Sequence, residues 1–84
     1  MTDTPSDVWK DAHRTAEDCR SGGDVASAEA IESAISNASL AYHGDCDIEA
    51  ACDNLALEAG DRGFTSDQCD IALDWFRTLT NTLD

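Results

Sequence analysis

Residues 42–53 read YHGDCDIEAACD, a run with one histidine, two cysteines, three aspartates and a glutamate. The fold turns on whether this run is a metal site or a junction between two helices. A zinc site needs ligands converging on one point at about 2.0–2.3 Å. Cys46 and Cys52 stand six residues apart across a helix start, and the chain has no C-x-x-C pair. A calcium loop counted from Asp45 begins well, with Asp45, Asp47 and Glu49 at its first three side-chain ligand positions. It then fails at Ala50, where the sharp-turn glycine belongs, and at Ala56, where a bidentate glutamate should close the loop. The junction accounts for every residue: Gly44 ends one helix and Asp45 or Asp47 caps the next. Acids in the first turn suit the helix dipole, as does His43 at the preceding C-terminus, and Cys52 packs as a small apolar group. Neither a metal nor any other cofactor is expected.

Outward from the junction, the remaining punctuation divides the chain into four helical segments. Pro5 opens the first after Thr4, and the glycines fall at Gly22-Gly23, Gly44, Gly60 and Gly63. The segments run roughly 5–20, 24–43, 47–60 and 66–83, with Asp24 and Ser66 as caps of the second and fourth and Gly44 and Gly60 after the second and third.

Helical periodicity places Val8, Trp9, Ala12, Ala16 and Cys19 on one side of the first segment and Asp7, Asp11 and Asp18 on the other. The fourth repeats the pattern, with Cys69, Ala72, Leu73, Phe76, Leu79 and Leu83 opposite Asp67, Asp70 and Asp74. The third buries Ile48, Ala51, Cys52, Leu55 and Ala59 and points Leu57 away. The second has two adjoining apolar stripes, Ala28, Ile31, Ile35, Ala38 and Tyr42 beside Ala30, Ala34 and Ala41, so it is the central helix, its remaining surface mostly serine and asparagine. The expected fold is all-α: a compact antiparallel bundle of about four short helices, forming a single acidic domain over residues 1–84. In such a bundle Cys19 and Cys69 lie toward the same end. Because much of the apolar content is alanine, stability should be modest.

Composition narrows the function. Five basic residues against eighteen acidic ones give a formal net charge of −13. That sign disfavours direct nucleic-acid binding, which runs on lysine and arginine. No targeting segment is recognisable near Met1 and no apolar run approaches membrane-spanning length, so a cytoplasmic protein without a membrane partner is expected, its four cysteines reduced. Cys69 sits in a first helical turn, where the dipole activates a thiol, but on the buried stripe. With no phosphate-binding loop or oxyanion site recognisable, a binder is expected rather than an enzyme.

The acid is the feature left to explain. Asp7, Asp11 and Asp18 on the first helix, Glu49 and Asp53 on the third, and Asp67, Asp70 and Asp74 on the fourth form rows with few basic neighbours at helical spacing. Carboxylates one turn apart present negative charge at a pitch comparable with a nucleic-acid strand. In size, charge and compactness the chain resembles the small, acidic phage-encoded inhibitors that imitate DNA, among them many anti-CRISPR and anti-restriction proteins. The resemblance implies an inhibitor, working in the host-cell cytoplasm, that occupies the basic nucleic-acid-binding surface of a partner protein or complex. The alternative is a helical protein interaction module of antitoxin or adaptor type, with the acid serving solubility or salt adaptation. Leu57, and Ile71 with Trp75, would be its apolar anchors, and a second copy of the chain is an admissible partner.

Overall fold

A computed structural model of the chain describes residues 5–81. Its helices are α1 (Pro5–Ser21), α2 (Val25–Tyr42), α3 (Ile48–Arg62) and α4 (Ser66–Thr80), and the described residues contain no strand. Leu83, expected on the apolar stripe of the last helix, lies outside the described residues. No helix among them is long and apolar enough to cross a membrane.

The first three helices stop in the same way. Gly23, Gly44 and Gly63 all have positive φ, between 71° and 90°, a backbone state that costs any residue with a Cβ. At each stop two amides turn back onto the last carbonyls: Asp24 N–H to Cys19 and Gly23 N–H to Arg20, Asp45 to Leu40 and Gly44 to Ala41, Phe64 to Ala59 and Gly63 to Gly60. This pairing satisfies carbonyls that the helix leaves open. The third stop corrects the sequence reading, which ended the helix at Gly60: α3 runs through Gly60 to Arg62, because Gly63 is the residue that takes the left-handed turn.

The starts follow side-chain capping. Asp24 accepts from Ser27 N–H and Asp47 from Ala50 N–H, as expected of these two aspartates. The cap of α4 is Thr65, one residue earlier than expected, with Ser66 as the first helical residue. Thr65 Oγ1 accepts from Gln68 N–H while Gln68 Oε1 accepts from Thr65 N–H, a reciprocal pair that Ser66 and Cys69 could not make.

α2 is the central helix. It packs against α1, α3 and α4, whereas α1 and α3 barely meet. The Cα envelope is flattened, 32 × 29 × 16 Å, and its short dimension accommodates two helices at the usual interaxial distance of about 8–10 Å. Direction alternates along the first three helices: Trp9 meets Tyr42 and Arg20 meets Glu32 across α1 and α2, and Asn37 meets Asn54 and Ser33 meets Glu58 across α2 and α3. Gln68 Nε2 donates to Ala26 O at 3.0 Å, so α4 begins beside the start of α2. Cys19 and Cys69 therefore lie toward the same end, and all four cysteines are free thiols.

The core consists of Ala12, Ala16, Ala30, Ile31, Ala34, Ile35, Ala38, Ala51, Leu55, Ala72, Phe76 and Leu79, with Val8, Trp9, Cys52 and Phe64 among the residues packed at its edge. Two residues expected on the buried stripes are exposed instead. Tyr42 is 52 % exposed and Ile48 41 %; each sits at a helix terminus, where Tyr42 meets only the edge of α1 through Trp9. The larger departure lies on α2, where Ser33 and Asn37, read as solvent-facing, are each 1 % exposed. Ser33 Oγ donates to Glu58 Oε1 at 2.7 Å, and Asn37 Nδ2 donates to Ser33 O at 2.8 Å and to Glu58 Oε2 at 3.4 Å. Asn54 Nδ2 donates to Asn37 Oδ1, and Arg62 approaches Glu58 from the rim. A polar seam therefore runs between α2 and α3, with each member partnered, as buried polar groups require.

Two outcomes follow from this geometry. Asn37→Ala removes the buried centre of the seam with its hydrogen bonds to Ser33, Asn54 and Glu58, so urea unfolding should show a loss of about 1–3 kcal/mol; an unchanged midpoint would mean the seam is incidental. At Gly60 a Cβ would meet nothing within 4 Å, so Gly60→Ala should stabilise by about 0.4–1 kcal/mol. Gly63→Ala should destabilise by about 1–2 kcal/mol, the reverse of what a helix ending at Gly60 would give.

Candidate functional site: an acidic surface

The apolar stripes of α1 and α4 face α2, which leaves their opposite faces to water. Asp7, Asp11, Asp18, Asp67, Asp70 and Asp74 are all exposed, as are Glu49 and Asp53 on α3. The ion pairs Arg20–Glu32 and Arg62–Glu58 engage two of the five basic side chains on carboxylates outside these rows. The three rows lie on three different helices.

The tertiary fold brings acids from two helix starts together. Because Gln68 ties the first turn of α4 to Ala26, the N-termini of α2 and α4 stand side by side. Asp24, Asp67 and Asp70 line a shallow hollow of about 560 Å³ there, with Thr65, Gln68 and Ile71. Asp74 follows one turn beyond Asp70. Asp24 is the member that sequence reasoning missed: it was read only as a cap, and nothing local announces that α4 starts next to it.

Hydrogen bonds from Ser27, its side chain first and its backbone N–H second, hold the Asp24 carboxyl below the usual aspartate value. With a folded value depressed below the unfolded one, its contribution to stability is present above about pH 4 and is lost as pH falls through the folded value. Asp24 and Asp67 also sit where two helix dipoles present partial positive charge, which favours ionised carboxylates there. Asp11, Asp18, Asp70 and Asp74 lie beyond the first turns of their helices and receive no such help.

No group of three or more His, Cys, Asp or Glu side chains among the described residues is arranged to hold a metal ion. In the junction at residues 42–53, Asp47 caps α3, His43 caps the end of α2 and Gly44 takes the left-handed turn. Cys46 and Cys52 pack at the edge of the core.

The apolar anchors separate. Leu57 is 71 % exposed on the outer face of α3, as its position on the helix implied. Ile71 and Trp75 are partly buried against the core, so much of their area is already used within the chain. Comparison with protein-family models, with curated proteins and with solved structures finds no match for this chain.

Proposed function

We propose that this protein is a non-enzymatic inhibitor that binds the basic nucleic-acid-binding surface of a partner protein or complex and excludes DNA or RNA from it. What carries the reading is the pairing of exposed carboxylate rows on rigid helices with a deficit of cations: eighteen acidic side chains against five basic ones. Along one helix face, successive turns place carboxylates about 5.4 Å apart, comparable with a nucleic-acid strand that sets one phosphate about every 3.4 Å of axis. A groove evolved for phosphates would meet a similar array of charge. The hollow framed by Asp24, Asp67 and Asp70, about 560 Å³, offers carboxylates to a lysine or arginine side chain of such a partner.

A second reading rests on Leu57, the most exposed large apolar side chain described. An interaction module docking through α3 would use it as an anchor and leave the acid to maintain solubility. Ionic strength separates the two, since contacts among exposed charges weaken with salt and apolar contacts do not.

The deciding experiment is competition on a partner recovered from the native host, titrated against that partner's nucleic acid at two salt concentrations. Binding should be mutually exclusive with nucleic acid and weaker in high salt. The triple variant Asp67→Lys, Asp70→Lys, Asp74→Lys should abolish it, whereas Asp70→Asn alone should change affinity by less than about tenfold. A complex that forms equally well on nucleic-acid-loaded partner, or that survives the triple variant and is lost with Leu57→Ala, would transfer the function to the apolar face of α3.

A further inference from the structure

The groove between α1 and α2, at the end away from the hollow of Asp24, Asp67 and Asp70, has an aromatic lining. Trp9, Lys10 and His13 of α1 face Ser39, Tyr42 and His43 across a hollow of about 370 Å³. These include the only lysine and both histidines of a chain with net charge −13. The walls are aromatic: Trp9 and Tyr42 meet edge to face with centroids 5.5 Å apart, and the His43 ring stands perpendicular to Tyr42 at 5.6 Å. Tyr42 keeps half its surface exposed beside them. The buried indole N–H of Trp9 finds no acceptor among the described residues. Farther along the groove the lining includes Glu32, whose carboxylate is held by Arg20.

We propose that this hollow is a binding site for a small organic anion with a flat aromatic body. Its volume lies at the lower end of the range of about 300–1,000 Å³ typical of ligand pockets. The rings of Trp9, Tyr42 and His43 offer faces and edges for an aromatic guest. Lys10, His13 and the Ser39 hydroxyl supply donors for its carboxylate. The negative field of the whole protein opposes an anion, but that field is screened over about 8–10 Å at ordinary ionic strength, whereas the Lys10 ammonium at the hollow acts at contact distance. Apolar walls with one ammonium and neutral donors at the rim select an amphiphilic anion over a bare inorganic one.

The test uses 2-naphthoate as probe, followed by amide and indole NMR shifts on the full chain, with 2-naphthalenemethanol as the uncharged counterpart. Saturable shifts should centre on Trp9, Lys10, His13, Ser39, Tyr42 and His43, with a dissociation constant on the order of 1 mM for a probe of this size. The alcohol should bind at least tenfold more weakly. Lys10→Gln with His13→Gln should weaken naphthoate at least tenfold, while Arg14→Gln, on the same helix but outside the hollow, should not change it. Absence of saturation, equal binding of the alcohol, an equal loss with Arg14→Gln, or shifts in the groove that track protein concentration through self-association would each overturn the proposal.

Discussion

α2 must be buried on three sides in a chain with few large apolar residues, and the rest of the structure depends on how that is done. Ala28, Ala30, Ala34 and Ala38 give it small faces, and Ala12, Ala16, Ala51, Ala59 and Ala72 meet it or one another from the surrounding helices. Small side chains let helix backbones approach closely, but each buries little area, so the apolar contribution per contact is low. Ile31, Leu55, Phe76 and Leu79 supply most of the large buried surface. Along α3 the seam of Ser33, Asn37, Asn54 and Glu58 does what side-chain volume does elsewhere: it sets which residues face each other. A one-turn slip would break its hydrogen bonds, and leaving buried polar groups unpaired is costly.

With α2 satisfied from three sides, α1, α3 and α4 each have one face committed to it and one left over. The outer faces carry the carboxylates, and the ion pairs of Arg20 and Arg62 engage Glu32 and Glu58 instead of the rows. Asp24, Asp47 and Asp67 are placed at helix N-termini where charge is welcome. For the others, exposure limits the damage: repulsion between solvated charges is small per pair and screened by salt, yet it accumulates over a net charge of −13. Acid of this kind lowers stability without serving the fold, and the proposed role against a basic groove gives it a reason to be there. The groove at Trp9 and His13, which holds the one lysine of the chain, is lined mainly by aromatic side chains instead.

Much of the fold was legible in the sequence, because helical periodicity is a local property. Four helices, the central place of α2, the outward direction of Leu57 and the junction at Gly44 all follow from spacing. What was not legible depends on partners distant in sequence. Ser33 and Asn37 look like surface residues until Asn54 and Glu58 are placed opposite; the signal was a polar pair four apart on α2 matched by another four apart on α3. Gly60 and Gly63 are equivalent to composition, and only the left-handed φ of Gly63 distinguishes them. Ser66 is as good a cap as Thr65 until Gln68 is noticed three residues after the threonine. Of the acidic surface, the rows were visible from spacing, while the meeting of Asp24 with Asp67 and Asp70 required the pairing of two helix starts.

If the carboxylate rows burden the fold and are carried for another purpose, removing their charge should stabilise the protein. The most direct test is the thermal stability of the quadruple variant Asp11→Asn, Asp18→Asn, Asp70→Asn, Asp74→Asn, which spares the first helical turns and changes shape least. At low ionic strength this variant should melt above the parent, and the difference should shrink as salt is added, because removing unneeded charge relieves repulsion that salt would otherwise screen. A variant that melts below the parent at low salt would show that these aspartates hold the structure together, and the acidic surface would then need no partner to explain it.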